Sequence, residues 1–164
     1  MRPARPGEYD EIARLTIEAY REDGQLGAEH GYEQILADVA GRAGHGELLV
    51  AVLDSRLVGS VTFVLPGTRY AELSRPGEAE FRMLAVDPAA QGRGVGLALA
   101  RACVARAREE GCASVVICTR DFAAGALRLY ERLGFVRAPE LDWMPAPSVQ
   151  LLGLRLDLRA RAER

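Results

Sequence analysis

Phe81-Arg82-Met83-Leu84-Ala85-Val86 is an apolar run that leads through Asp87-Pro88-Ala89-Ala90 into Gln91-Gly92-Arg93-Gly94-Val95-Gly96, where a helical pattern opens and continues to Glu110. A strand becomes a helix through three glycines. The first N–H groups of a helix lack partners within it and carry the positive end of its macrodipole. A helix start lined by glycine lets a pyrophosphate approach that backbone closely. The segment points to a phosphorylated cofactor.

Spacing separates the candidates. A nucleotide-triphosphate loop needs Lys and then Ser or Thr after its last glycine, whereas Val95-Gly96-Leu97 stands here and the chain contains no Lys. A dinucleotide fingerprint counted from Gly92 or from Gly94 puts Leu97 or Leu99 where only a small residue fits. No Gly-x-Ser-x-Gly elbow is present, so a serine hydrolase finds no support.

Outward from this turn, helices and strands alternate without internal repeats. Glu8 to Arg21 and Tyr32 to Arg42 read as helices, with a polar loop from Glu22 to Gly31 between them. Leu48 to Leu53 and Leu57 to Leu65 read as a hairpin around Asp54-Ser55-Arg56, and Pro66 to Gly77 reads as a loop. Ala79 to Val86 is the strand entering the glycine turn. The helix after it places Val95, Ala98, Leu99, Ala102 and Cys103 on one stripe and stops at Gly111. Ser114 to Cys118 is an apolar strand of the kind buried in a parallel pair, and Gly125 to Leu133 is the next helix. Strand, crossover helix and strand form a βαβ unit, which makes the middle of the sheet parallel. Phe135 to Leu141 and Val149 to Leu158 are the last strand candidates, the second offering an edge on which a homodimer could form.

With 164 residues, 49% of them hydrophobic, the chain can bury a sizeable core as one domain spanning residues 1–164, without disulfides or metals. A net charge of -2 excludes a bulk electrostatic grip on nucleic acid. Cys103, Cys112 and Cys118 lack metal-ligand spacing and read as free thiols in a reducing compartment; His30 and His45 stand alone in glycine-rich loops, so no metal is expected. Met1 to Pro6 is not followed by an apolar stretch of about 7 to 15 residues, and no run approaches ~18 apolar residues. The expectation is a cytoplasmic protein with no membrane partner.

Gln91, Gly94 and Gly96 match the Gln/Arg-x-x-Gly-x-Gly/Ala signature around the acetyl-CoA pyrophosphate in the GNAT superfamily of N-acyltransferases. Leu84 to Pro88 resembles that family's fourth strand and exit turn, and Leu129-Tyr130-Glu131-Arg132-Leu133-Gly134-Phe135 resembles its tyrosine-bearing helix. The resemblance covers essentially the whole chain. It implies an α/β (α+β) fold with a mixed, mostly antiparallel sheet of about six or seven strands, splayed at a central parallel pair and flanked by about four helices. The first strand matches least, only Met1 to Ala4 being available for it.

The resemblance also implies the chemistry: an acetyl group passes from acetyl-CoA to the primary amine of a small molecule or peptide. Leu84, Ala85 and Val86 would run beside the pantetheine arm, with the Val86 N–H toward the thioester oxygen. Gln91, Gly92, Arg93, Gly94, Val95, Gly96 and Leu97 would surround the pyrophosphate, with Arg93 either a phosphate partner or a solvated cation. Tyr130 aligns with the general acid; Ala123 and Ala126 precede it on the same helix face and leave room for the arm. Many members carry Asn where Ala123 stands, so one contact departs from the pattern, and an inert acyl-CoA-binding module is the alternative reading.

Glu80 lies at the spacing where some members place a glutamate base, with Glu78 in reserve. Strict alternation would send Glu80, Arg82, Leu84 and Val86 to one face, so Glu80 is either that base or part of a structural ion pair. Glu22, Asp23, Glu29, Glu140, Asp142 and Trp143 lie in the loops that wall the acceptor site in the family, which points to a cationic amine.

Overall fold

The strand and helix on either side of the glycine turn form as read. In a computed structural model describing residues 1–26 and 31–159, β4 covers Glu78–Val86 and α4 covers Val95–Glu109. Before them come β1 (Arg2–Pro3), α1 (Tyr9–Glu22), α2 (Tyr32–Ala37), α3 (Val39–His45), β2 (Glu47–Leu53) and β3 (Arg56–Val64). After them come β5 (Ser114–Arg120), α5 (Ala124–Leu133), β6 (Val136–Arg137), β7 (Trp143–Ala146) and β8 (Val149–Asp157). Glu29 and His30 lie outside the described residues.

Among the described residues the strands make one eight-stranded sheet in the order β1-β2-β3-β4-β5-β8-β6, with β7 also paired to β8. Every pairing is antiparallel except β4 with β5. That parallel pair stays in register for three positions only, from Glu78 opposite Ser114 to Glu80 opposite Val116. Beyond Glu80 the two strands diverge, and the sheet opens into the expected splay.

Three local readings are corrected. The helix expected over Tyr32 to Arg42 is two short helices, broken at Asp38, whose φ of -81° and ψ of 66° leave the helical region and whose side chain accepts the Gly41 N–H. The strand expected over Phe135 to Leu141 is only β6, because Pro139 begins a turn of 3-10 helix through Leu141. The Val149–Leu158 strand offers no edge for a homodimer: β8 is paired with β5 on one side and with β6 and β7 on the other.

A fourth correction bears on the site. Thr62 faces Arg82 while Ser60 faces Ala85, so two residues of β4, Met83 and Leu84, oppose one of β3. This is a β-bulge, and Met83 takes a left-handed φ of 55° to make it. The extra residue reverses the alternation, placing Glu80, Arg82 and Ala85 on one face, and Phe81, Leu84 and Val86 on the other. Ala85 accordingly packs with Ile12 and Leu15 of α1, while Phe81, Leu84 and Val86 pack with Leu99 and Cys103 of α4.

β1 is as short as the sequence implied and is held by Arg2, which pairs with Glu8 at 2.9 and 2.6 Å. The hydrogen bond from Arg2 holds the Glu8 carboxyl down to about 2, against an ordinary value of 4.5. A lowered carboxylate pKa stabilises the fold above its ordinary value and loses that contribution as pH falls toward the folded value. Amide exchange at Ala4, whose N–H donates to the Leu48 carbonyl at 2.8 Å, should therefore lose protection as pH drops from 4.5 toward about 2, before the amides of α4 do. Equal protection of Ala4 across that window would contradict this.

Candidate active site

The splay between β4 and β5 is the mouth of a cleft of about 1580 Å³. A single drug-sized ligand occupies roughly 300 to 1,000 Å³, so the cleft has room for two reactants together. Leu84, Ala85 and Val86 of β4, the turn residues Gln91, Gly92 and Gly94, and Val95, Gly96 and Leu97 of α4 all line it. Ala123, Ala126 and Tyr130 line it from α5. Arg93 is exposed and Glu80 fully buried, and neither lines the cleft.

The glycine turn suits an anion for a local reason. Gly94 caps α4 with a left-handed φ of 78°, and Ala98 N–H to Gly94 C=O is the first bond of the helix. The N–H groups of Val95, Gly96 and Leu97 are thus left without partners in their own helix, at its positive end. A Cβ built on Gly96 would stand 3.1 Å from Leu129 Cδ1 and 3.6 Å from Val86 Cγ2, so a bare backbone there keeps α4, α5 and β4 together around the cleft.

Gly94→Ala should cost about 1 to 2 kcal/mol because alanine is strained at that φ, and should weaken acetyl-CoA binding at least about tenfold in calorimetry. Gly44→Ala, in α3 with nothing within 4 Å of the added Cβ, should be neutral or slightly stabilising. Equal effects of the two changes would mean that the turn geometry does not matter.

Tyr130 is 7% exposed and is held by Phe81 and Phe135, with ring centroids 6.0 and 5.8 Å away. Among the described residues no hydrogen bond occupies its hydroxyl. Burial raises its pKa, so the group stays protonated and able to donate. Ala123 stands at the N-cap of α5 with no side-chain cap bond, the local consequence of lacking Asn there.

Glu80 is fully buried and anchors a loop. Its Oε1 accepts the N–H groups of Glu72, Leu73 and Ser74 at 3.1, 2.9 and 3.0 Å. Glu78 is engaged as well, accepting from Arg155 Nε at 3.2 Å and from the Ser114 hydroxyl at 2.9 Å. Of the residues expected on the acceptor loops, Asp23 and Trp143 line the cleft. Glu140 and Asp142 are tied to Arg155 and Arg137 at 2.6 and 2.8 Å, which holds both carboxyls below their ordinary range.

Other groups reach the cleft without a sequence signal. Tyr20 at the end of α1 and Tyr32 at the start of α2 bring their rings within 5.9 Å. Burial raises both hydroxyl pKa values. Glu72 and Arg82 pair at 3.0 Å, and Arg82 also donates to the Tyr70 carbonyl at 3.0 Å. Arg120 and Arg128 line the cleft as well. The path of the 66–77 loop brings Glu72 to Arg82. Among the described residues no group of three or more His, Cys, Asp or Glu could hold a metal ion.

A family model described as the acetyltransferase (GNAT) family matches residues 9–135. A mycothiol acetyltransferase of Sanguibacter keddieii is 34% identical over 155 residues, covering 90% of this chain and 47% of that protein. The chain spans less than half the length of the curated relatives it matches. A GNAT-family acetyltransferase from Staphylococcus aureus Mu50 superposes with a TM-score of 0.73 at 13% identity, over 95% of this chain and 96% of that one. A Bacillus subtilis acetyltransferase in complex with CoA gives 0.64 at 21%, over 91% and 92%. At those identities the two structures speak for the fold alone.

Proposed function

The chain belongs to the GNAT acetyltransferase family, and from that membership we propose that it transfers an acetyl group from acetyl-CoA to the primary amine of a small molecule, with both bound at once. The observation that carries this reading is that Tyr130, the open backbone of β4 and the unpartnered N–H groups of α4 all face one cleft large enough for two reactants. The relatives named mycothiol acetyltransferase favour a small-molecule acceptor over a peptide. The reading carries a cytoplasmic location, which the three free cysteines support.

The thioester supplies an activated acetyl group; the chain supplies position, polarity and protons. The N–H groups of Val95, Gly96 and Leu97 hold the pyrophosphate, with Arg93 free to swing toward it. The Asp87 N–H donates to the Val58 carbonyl at 2.8 Å, so alternation turns the Val86 N–H away from β3, toward the cleft, where it can donate to the oxyanion. Ala123 and Ala126 leave space along α5, and Tyr130 gives its proton to the departing thiolate.

Calorimetry with acetyl-CoA, NADH and ATP in turn, followed by thiol release over a panel of small amines and one peptide, tests this. Selective acetyl-CoA binding with amine-dependent thiol release supports it. Binding without turnover on any amine would favour the inert acyl-CoA-binding module, the reading to which the missing cap at Ala123 lends weight. No acetyl-CoA binding would overturn both.

A further inference from the structure

With Glu80 and Glu78 both engaged in structural bonds, the cleft needs another group to take the proton of an amine that arrives charged. We propose that the Glu72 carboxylate, held by Arg82 at the mouth of the splay, docks the acceptor's ammonium group and removes its proton before acetyl transfer. The proposal rests on the acyltransfer reading and adds a residue and a substrate class to it.

Three observations place Glu72 in this role. Its backbone is pinned, because its N–H donates to both oxygens of Glu80 at 3.1 and 3.3 Å. Its side chain is pinned too, because Oε1 pairs with Arg82 Nη2 at 3.0 Å, while its residual 30% side-chain exposure is on the cleft. It lines the same cleft as Tyr32 of α2, Cys118 of β5 and Tyr130 of α5. The carboxylate therefore shares the cleft with Tyr130.

Among the described residues the other two carboxylates that line the cleft accept hydrogen bonds of their own. Asp38 caps Gly41 and accepts from the Tyr70 hydroxyl at 3.4 Å, and Asp23 accepts from Gln25 at 3.3 Å.

The groups around Glu72 set its proton affinity. Burial raises its pKa, Arg82 lowers it and the Glu80 charge raises it, with a net rise. A carboxylate shifted in this direction is a better base than an exposed one. The Tyr20 and Tyr32 rings that line the same cleft suit a compact alkylammonium whose apolar body packs on aromatic faces.

Protons and bonds balance. The ammonium gives one proton to Glu72, the freed nitrogen forms the N–C bond as the C–S bond breaks, and Tyr130 protonates the thiolate. The second nitrogen proton restores Tyr130, and Glu72 releases its proton to solvent.

The test compares wild type, Glu72→Gln and Glu72→Asp in kcat/KM for the best amine between pH 6 and 9, alongside acetyl-CoA affinity and thermal stability. The expected result for Glu72→Gln is a loss of at least about 10²-fold near neutral pH that shrinks as pH approaches the pKa of the amine. Acetyl-CoA affinity and Tm should hold, and Glu72→Asp should recover part of the loss. A loss that is constant with pH, or activity within about threefold of wild type throughout, would overturn the proposal.

Failure of the acyltransfer reading looks different, since wild type itself would then release no thiol. In that case titration of CoA-saturated protein with methylammonium-class probes decides the docking role. Binding lost in Glu72→Gln supports it, and equal affinity overturns it.

Discussion

Tyr130→Phe should lower kcat by at least about 10²-fold, the usual contribution of a positioned general acid, while leaving acetyl-CoA affinity within about threefold of wild type. The asymmetry follows from where the two ends of the side chain lie. The ring is packed between Phe81 and Phe135, which phenylalanine would reproduce, whereas the hydroxyl has no partner among the described residues and Tyr130 lines the cleft. Burial keeps that hydroxyl protonated at neutral pH, so the wild-type group is present as the acid. Steady-state kinetics with calorimetry on the same preparation checks the prediction. Unchanged turnover would remove the acid role, and a large fall in Tm would show that the hydroxyl is structural.

The second large effect is on stability. Glu80→Ala should destabilise the fold by about 2 to 4 kcal/mol, a fall in Tm of roughly 5 to 15 °C for a chain of this size. Three N–H groups of the 72–74 loop now converge on one fully buried carboxylate. Alanine would leave them unsatisfied until the loop rearranged toward water. Glu80→Gln keeps an accepting oxygen but turns an amide donor toward other donors, so about half that loss is expected. In both variants the acceptor KM should rise, because Glu72 sits on the loop that Glu80 anchors. A Glu80→Gln protein with wild-type Tm but little turnover would make Glu80 the base instead.

The two glutamates show how far a sequence reaches into such a site. Glu80 was legible as a charge on a central strand that required a reason. Its partners were not, because the three N–H groups it satisfies belong to a loop whose path has no local code. Arg82 was legible only with the wrong neighbours. Strict alternation grouped it with Leu84 and Val86, and the bulge at Met83 separates them; a left-handed methionine has no sequence signature. Glu72 carries no sequence signal, since an acidic residue in a polar loop is ordinarily solvated, and its pairing with Arg82 distinguishes it.

By itself the sequence determined the strand, the glycine turn, the two helices that follow and the position of Tyr130. These are local matters: the apolar period, the backbone freedom of Gly94 and the helix start depend on residues close along the chain. Tertiary structure alone decided the bulge in β4, the divergence of β4 from β5 after Glu80, the folding of β6 and β7 against β8, and the gathering of Tyr20, Tyr32, Glu72 and Arg82 at the cleft. Each of these depends on contacts between residues far apart in the chain, where register and packing choose among conformations that local sequence leaves nearly equal in energy.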